Sequence, residues 1–173
     1  MKSRNFLLSL AVCGALAAWG CSYSQTAGHN APRGDVPAAL PDNAFKALIT
    51  VAEPPGKLRS GQRQTIQVTV KNASDVPWYA RGAVVNTAPS NKFYLAVGNR
   101  WLDAAGDKLV NDMDGRYGVD RDLKPGEETE VPLVVTAPKN PGGYILEIDL
   151  IQEQVAWFHE KGSMTARVKV KVE

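Results

Sequence analysis

The chain has 173 residues, 44% of them hydrophobic, with 20 Lys and Arg against 18 Asp and Glu, two His and two Cys. Charge this evenly balanced, with no basic patch and no aromatic-basic interleaving, argues against a nucleic-acid partner. Cys13 and Cys21 both fall in the first 21 residues, so the rest of the chain has no disulfide framework, thiolate metal site or cysteine nucleophile.

In chain order, residues 1–20 read as a secretory signal. Lys2 and Arg4 precede an apolar run from Phe6 to Ala18 that only Ser9 and Gly14 interrupt, and small residues follow. The run is too short to span a bilayer comfortably. Ala18-Trp19-Gly20-Cys21 resembles the lipobox of bacterial lipoproteins, with Ala18 where Leu is usual and an uncommon Trp19. The resemblance implies acylation of the Cys21 thiol and a membrane partner reached through a lipid anchor. Palmitate-type chains, each methylene worth about 0.8 kcal/mol on burial, would make that anchor stable without a protein helix. Ser22, rather than Asp, follows the cysteine, which by the same resemblance implies the outer membrane, periplasm-facing or at the surface. Without residues 1–20 the chain loses Lys2 and Arg4 and no acid, leaving 18 basic residues against 18 acidic ones.

Residues 21–43 carry the lipidated Cys21 and a flexible tether rich in Ser, Ala, Gly, Pro and Asn. His29 lies in it as a solvated side chain. Residues 44–173 form one domain, long enough to bury about two-thirds of its unfolded surface without staples.

There the apolar period is two. Ile66, Val68 and Val70 alternate with Gln67, Thr69 and Lys71; Val131, Leu133 and Val135 with Glu130, Pro132 and Val134; Val168, Val170 and Val172 with Arg167, Lys169 and Lys171. Such alternation marks strands with one buried and one wet face. Pro54-Pro55-Gly56, Gly98-Asn99, Pro125-Gly126 and Pro141-Gly142-Gly143 supply turns. Strands are predicted near 46–52, 63–72, 77–81, 92–98, 100–103, 116–123, 127–137, 143–151, 155–159 and 163–172. The fold class is an all-β, immunoglobulin-like antiparallel β-sandwich. Pro132 implies that its strand lies at an edge or turns its missing donor to water.

The stretch GGYILEIDLIQEQVAWFHEKGS, residues 142–163, concentrates chemically active side chains. Tyr144, Leu146, Ile148 and Leu150 share one strand face, with Ile145, Glu147, Asp149 and Ile151 on the other. Glu147 and Asp149 stand about 7 Å apart along the strand. Catalysis by such a pair needs a cleft that separates their pKa values, and a wet sheet face offers none. Both are expected to be solvated.

This stretch, with VTVKNASDVPW and LKPGEETEVPLVVTAP, resembles the immunoglobulin-like sandwich appended to bacterial glycosyltransferases, sugar-processing enzymes and methyltransferases. The matching positions are Asn72, Ser74 and Trp78; Pro125, Gly126 and Glu127; Ala137, Pro138, Pro141, Gly142 and Tyr144; and Glu153, Trp157, Phe158 and Gly162. The layout is also similar to the four-tryptophan domain of eukaryotic autophagy receptors. The likeness covers about residues 60–172. No catalytic domain accompanies it here, so it speaks to fold more than to task.

Trp78 and Trp157 are expected mainly in the core. Trp101 is placed on a hairpin, partly exposed, and forms with Tyr94, Tyr79, Trp157 and Phe158 a candidate stacking surface for sugar rings. Asp112, Asp114, Asp120 and Asp122 surround two glycines but miss the calcium-loop template, because Leu123 stands where a bidentate Glu belongs. His159 lacks partners for zinc, and Ser163 lacks the flanks of a nucleophile elbow. No catalytic residue, metal or cofactor is predicted. The expected role is a non-enzymatic, lipid-anchored envelope module contacting a protein complex or polysaccharide through loops 83–91 and 104–118 and the segment Trp157–His159. The alternative is a periplasmic peptidase inhibitor on the same scaffold. A hydrolase is the weakest reading.

Overall fold

The computed structural model describes residues 39–80, 91–112 and 114–173. Residues 1–38, with Cys21 and most of the tether, lie outside them, as does nearly all of loop 83–91. Among the described residues ten strands follow one another: β1 (Ala47–Val51), β2 (Lys57–Leu58), β3 (Arg63–Asn72), β4 (Leu95–Asp103), β5 (Leu109–Asn111), β6 (Arg116–Gly118), β7 (Glu128–Thr136), β8 (Gly142–Gln152), β9 (Ala156–Trp157) and β10 (Ala166–Val172). Among the described residues there is no α-helix, only 3-10 turns at Asp42–Ala44 and His159–Lys161.

The strands form two sheets. The smaller runs β1-β3-β7, antiparallel throughout. The larger runs β2-β10-β8-β4-β5, with β6 also on β4 and β9 also on β8. Between them lies one core. Ile66, Val68 and Val70 of β3 face it, with Leu146, Ile148 and Leu150 of β8 opposite. Full burial of side chains of this size contributes roughly 1.5–3 kcal/mol each. The chain is an immunoglobulin-like all-β sandwich.

One polar motif of the sequence builds its end. The buried Asn72 amide donates to the carbonyls of Val76, at 2.8 Å, and Leu123, at 2.9 Å. Its Oδ1 accepts from the Ser74 hydroxyl at 2.7 Å. This folds residues 73–77 so that Trp78 enters the core, its indole N–H donating to the Ala44 carbonyl at 2.9 Å. Phe158 packs edge-on against Trp78 and Phe45, with ring centroids 5.2 and 4.9 Å apart.

Pro132 sits where its ring predicts, on β7 at the edge of the smaller sheet. Other expectations change. Gly98-Asn99 makes no turn, because β4 runs unbroken from Leu95 to Asp103 along β8. Of the strand expected over 77–81, the described residues 77–80 make only a bridge, Trp78 to Leu123, residue 81 lying outside them. The strand expected over 155–159 gives way to the 3-10 turn after Trp157.

Candidate functional site

The site is the outer face of the larger sheet, and the backbone register assembles it. Glu147 on β8 lies directly between Arg100 on β4 and Arg167 on β10. Arg100 Nε donates to Glu147 Oε2. Arg167 Nε donates to Oε1 at 2.7 Å, and the Thr165 hydroxyl to the same oxygen at 2.9 Å. The carboxylate is 1% exposed. Burial alone would raise its pKa, but the hydrogen bonds from Arg100, Thr165 and Arg167 outweigh that and hold it below the usual glutamate range.

Two residues along the same face, Asp149 is also buried, and its environment works the other way. Its Oδ2 lies 2.6 Å from His159 Nδ1 and accepts from the His159 backbone N–H at 3.2 Å, while Oδ1 accepts from the Leu150 N–H at 2.8 Å. Burial raises its pKa above the usual aspartate range, and the bonds from His159 offset that only in part. A third acid, Glu153, is buried at the end of β8. Arg116 grips both its oxygens through Nη1, at 3.0 and 2.7 Å.

Trp157 supplies the cover. Its ring lies on Gly98, where any side chain would meet the indole at 2.7 Å. The Arg116 guanidinium sits 5.1 Å from the same ring, within the range of a cation–π contact. Gly98 is therefore a close-approach glycine rather than a turn residue. The acids that were expected in solvent are buried for a non-local reason. Strands β4 and β10 bring cations alongside them, and the 153–165 segment folds back over them.

Two spaces result. A small, partly enclosed one of about 10 Å³, among Gly98, Glu147, Asp149, Trp157 and His159, has room for no more than about one water. An open groove of about 340 Å³ runs past Arg100, Glu147, His159, Ser163, Thr165 and Arg167. Arg100 is about one-third exposed and Arg167 about half, whereas Glu147 is 1% exposed, so the arginines carry more of the groove's exposed surface than the acid between them. No Ser or Thr hydroxyl among the described residues bonds to His159. Ser163 accepts from the Ala47 N–H at 3.0 Å, and Thr165 is engaged by Glu147.

The expected aromatic surface does not form. Trp101 and Phe158 are fully buried and Tyr94 is buried. Trp101 faces inward on β4, edge-on to Tyr144 with centroids 6.3 Å apart, because β4 continues through the expected hairpin. Trp157 is half-buried on the opposite side of that sheet from the core, and only Tyr79 is widely exposed. Inside the core, the Asn99 amide and the Trp101 indole N–H have no hydrogen-bond partner among the described residues. In the 111–122 loop, Asp114 accepts from the Thr136 N–H, Asp120 from the Thr129 hydroxyl and Asp122 from the Ala80 N–H. These three acids thus serve separate partners, and no group of acids and histidines suited to a metal occurs among the described residues.

Fold and site together define an immunoglobulin-like sandwich with buried acids under exposed cations on one sheet face. No family model matches the chain, and no curated protein does. Among solved structures it is similar to a β-glucosidase from Listeria innocua in complex with glucose, at 17% identity and a TM-score of 0.45. That match covers 73% of this chain and 16% of the enzyme, so the chain spans only a small part of that protein's length. It is also similar to the CARDB domain of a Pyrococcus furiosus protein in solution, at 15% identity and a TM-score of 0.42, covering 73% of this chain and 94% of the domain. The crystal structure of that domain with di-metal ions matches at 17% identity and a TM-score of 0.41, covering 74% of this chain and 86% of that one. None of these likenesses bears on what the chain does. The fold assignment rests on its own strand order and core.

Proposed function

We propose that this is a lipid-anchored, outer-membrane binding module that contacts a polysaccharide or protein complex of the cell envelope and catalyses no reaction. The anchor rests on the signal-like leader and Cys21. The placing among envelope and sugar-related proteins rests on the sequence resemblance to sandwiches appended to glycosyltransferases. The contact surface in this reading moves from the aromatics to the outer face of the larger sheet. One observation carries it: Glu147, Asp149 and Glu153 are buried there, while Arg100, Arg167, Lys169 and Lys171 stand out from the same face. Glu147 fixes Arg100 and Arg167 and so pre-orients that part of the surface, with Lys169 and Lys171 adding charge beside it. Against catalysis stands the engagement of the nearby hydroxyls elsewhere, together with the burial of Glu147 and Asp149.

Three experiments on the full chain in intact cells test this reading. Fatty-acid labelling is expected for the wild type and lost in Cys21→Ser. Cross-linking is expected to recover envelope material, with recovery falling severalfold when Lys169→Glu and Lys171→Glu reverse the charge of that face. Equal recovery by both chains, or turnover of a compound abolished by His159→Ala, would overturn it.

A further inference from the structure

The geometry points to an oxyanion subsite in the groove between β4, β8 and β10: Arg100 and Arg167 receive a carboxylate or phosphate group of the ligand. This rests on the binding reading above and names its chemistry.

Each arginine bonds to Glu147 through Nε, and those are the only protein hydrogen bonds the two guanidinium groups make among the described residues. Four Nη nitrogens are left with donors for another acceptor. A guanidinium presents five N–H donors in a planar fork that matches carboxylate and phosphate oxygens. Two such forks held on one buried carboxylate lose little freedom when a ligand arrives. Two cations against one anion leave the cluster net positive, and Lys169 adds to it from the next outward position of β10. His159 borders the same groove. Its Nδ1 faces Asp149, so Nε2 remains as the ring's other polar atom, with no protein partner among the described residues. The small cavity beside Gly98 cannot take a ligand, whereas the groove falls in the size range of small-molecule sites.

The test is calorimetric titration of the detergent-solubilised full chain with galacturonate, glucose 6-phosphate and neutral glucose. At least one acidic sugar is expected to bind while glucose does not, with affinity falling as salt rises. Whichever acid binds more tightly identifies carboxylate or phosphate as the source. Arg167→Lys keeps a charge and one bond to Glu147 but removes the fork. It is expected to weaken binding about tenfold, as loss of a charged hydrogen bond does, with the melting temperature unchanged. Arg100→Lys provides a second variant should the first unfold. Binding of neither acid above the glucose level, or equal binding by the Lys variants, overturns the subsite. If envelope material is still recovered from cells in that event, the binding role survives and only the oxyanion chemistry fails. If neither is seen, both fail.

Discussion

The central strands of the two sheets, β3 and β8, share a period of two and meet different fates. On β3 the outward Arg63, Thr65 and Gln67 stay exposed. On β8 the outward Ile145, Glu147, Asp149 and Ile151 are all buried. The difference lies in what neighbouring chain brings. The flanks of β3 are β1 and β7, and its outer face stays in water. The flanks of β8 are β4 and β10, which supply Arg100 and Arg167 in register, and Trp157 follows to roof the gap at Gly98. An alternating strand thus encodes which face a residue occupies, while the cover over that face is a tertiary property.

Substitutions that break this contrast should differ widely in effect. Trp101→Ala, in the core shared by both sheets, should cost about 3–5 kcal/mol in urea unfolding, where an exposed stacking residue would cost almost nothing. Glu147→Gln should cost about 3 kcal/mol by the same measurement, because it weakens the shared acceptor of two arginines in a buried site. Gly98→Ala should cost about 1–3 kcal/mol as the new methyl displaces Trp157, and loss of the native tryptophan fluorescence signature would report the shift.

Asp149→Asn tests the opposite sign. A carboxyl whose folded-state pKa is raised gives its stabilisation below the ordinary aspartate value and loses it as pH rises through the raised value. The variant should therefore gain stability relative to wild type between acid and neutral pH. Glu147, shifted down, contributes above the ordinary glutamate range and loses that contribution as pH falls through its lowered value. The smallest effect belongs to the mirror position on β3, where Gln67→Ala should stay within about 0.5 kcal/mol.

Much of the fold was legible because alternation and turn chemistry are local. The bounds expected for β3, 63–72, are those found, and the inward residues of β3, β7 and β8 are the expected ones. Gly98-Asn99 misled because a Gly-Asn pair is a turn signal in isolation, whereas here the missing side chain makes room for an indole 59 residues further on. The site was half legible. Glu147 and Asp149 lie on the face assigned to them, yet Ile145 and Ile151 share it, and a strand apolar on both faces is a strand buried on both. That signal was present in YILEIDLI. The arginines were not findable in the same way, since pairing of β4 and β10 with β8 joins residues 20 and 47 positions away from Glu147.

A carbon-13 NMR titration of the Glu147 and Asp149 side-chain carboxyls tests the buried network most directly. The two midpoints should part, Glu147 moving below the ordinary glutamate value and Asp149 above the ordinary aspartate value. Midpoints that both fall in the ordinary carboxylate range would mean that water reaches this face and that no buried acid holds the arginines in place.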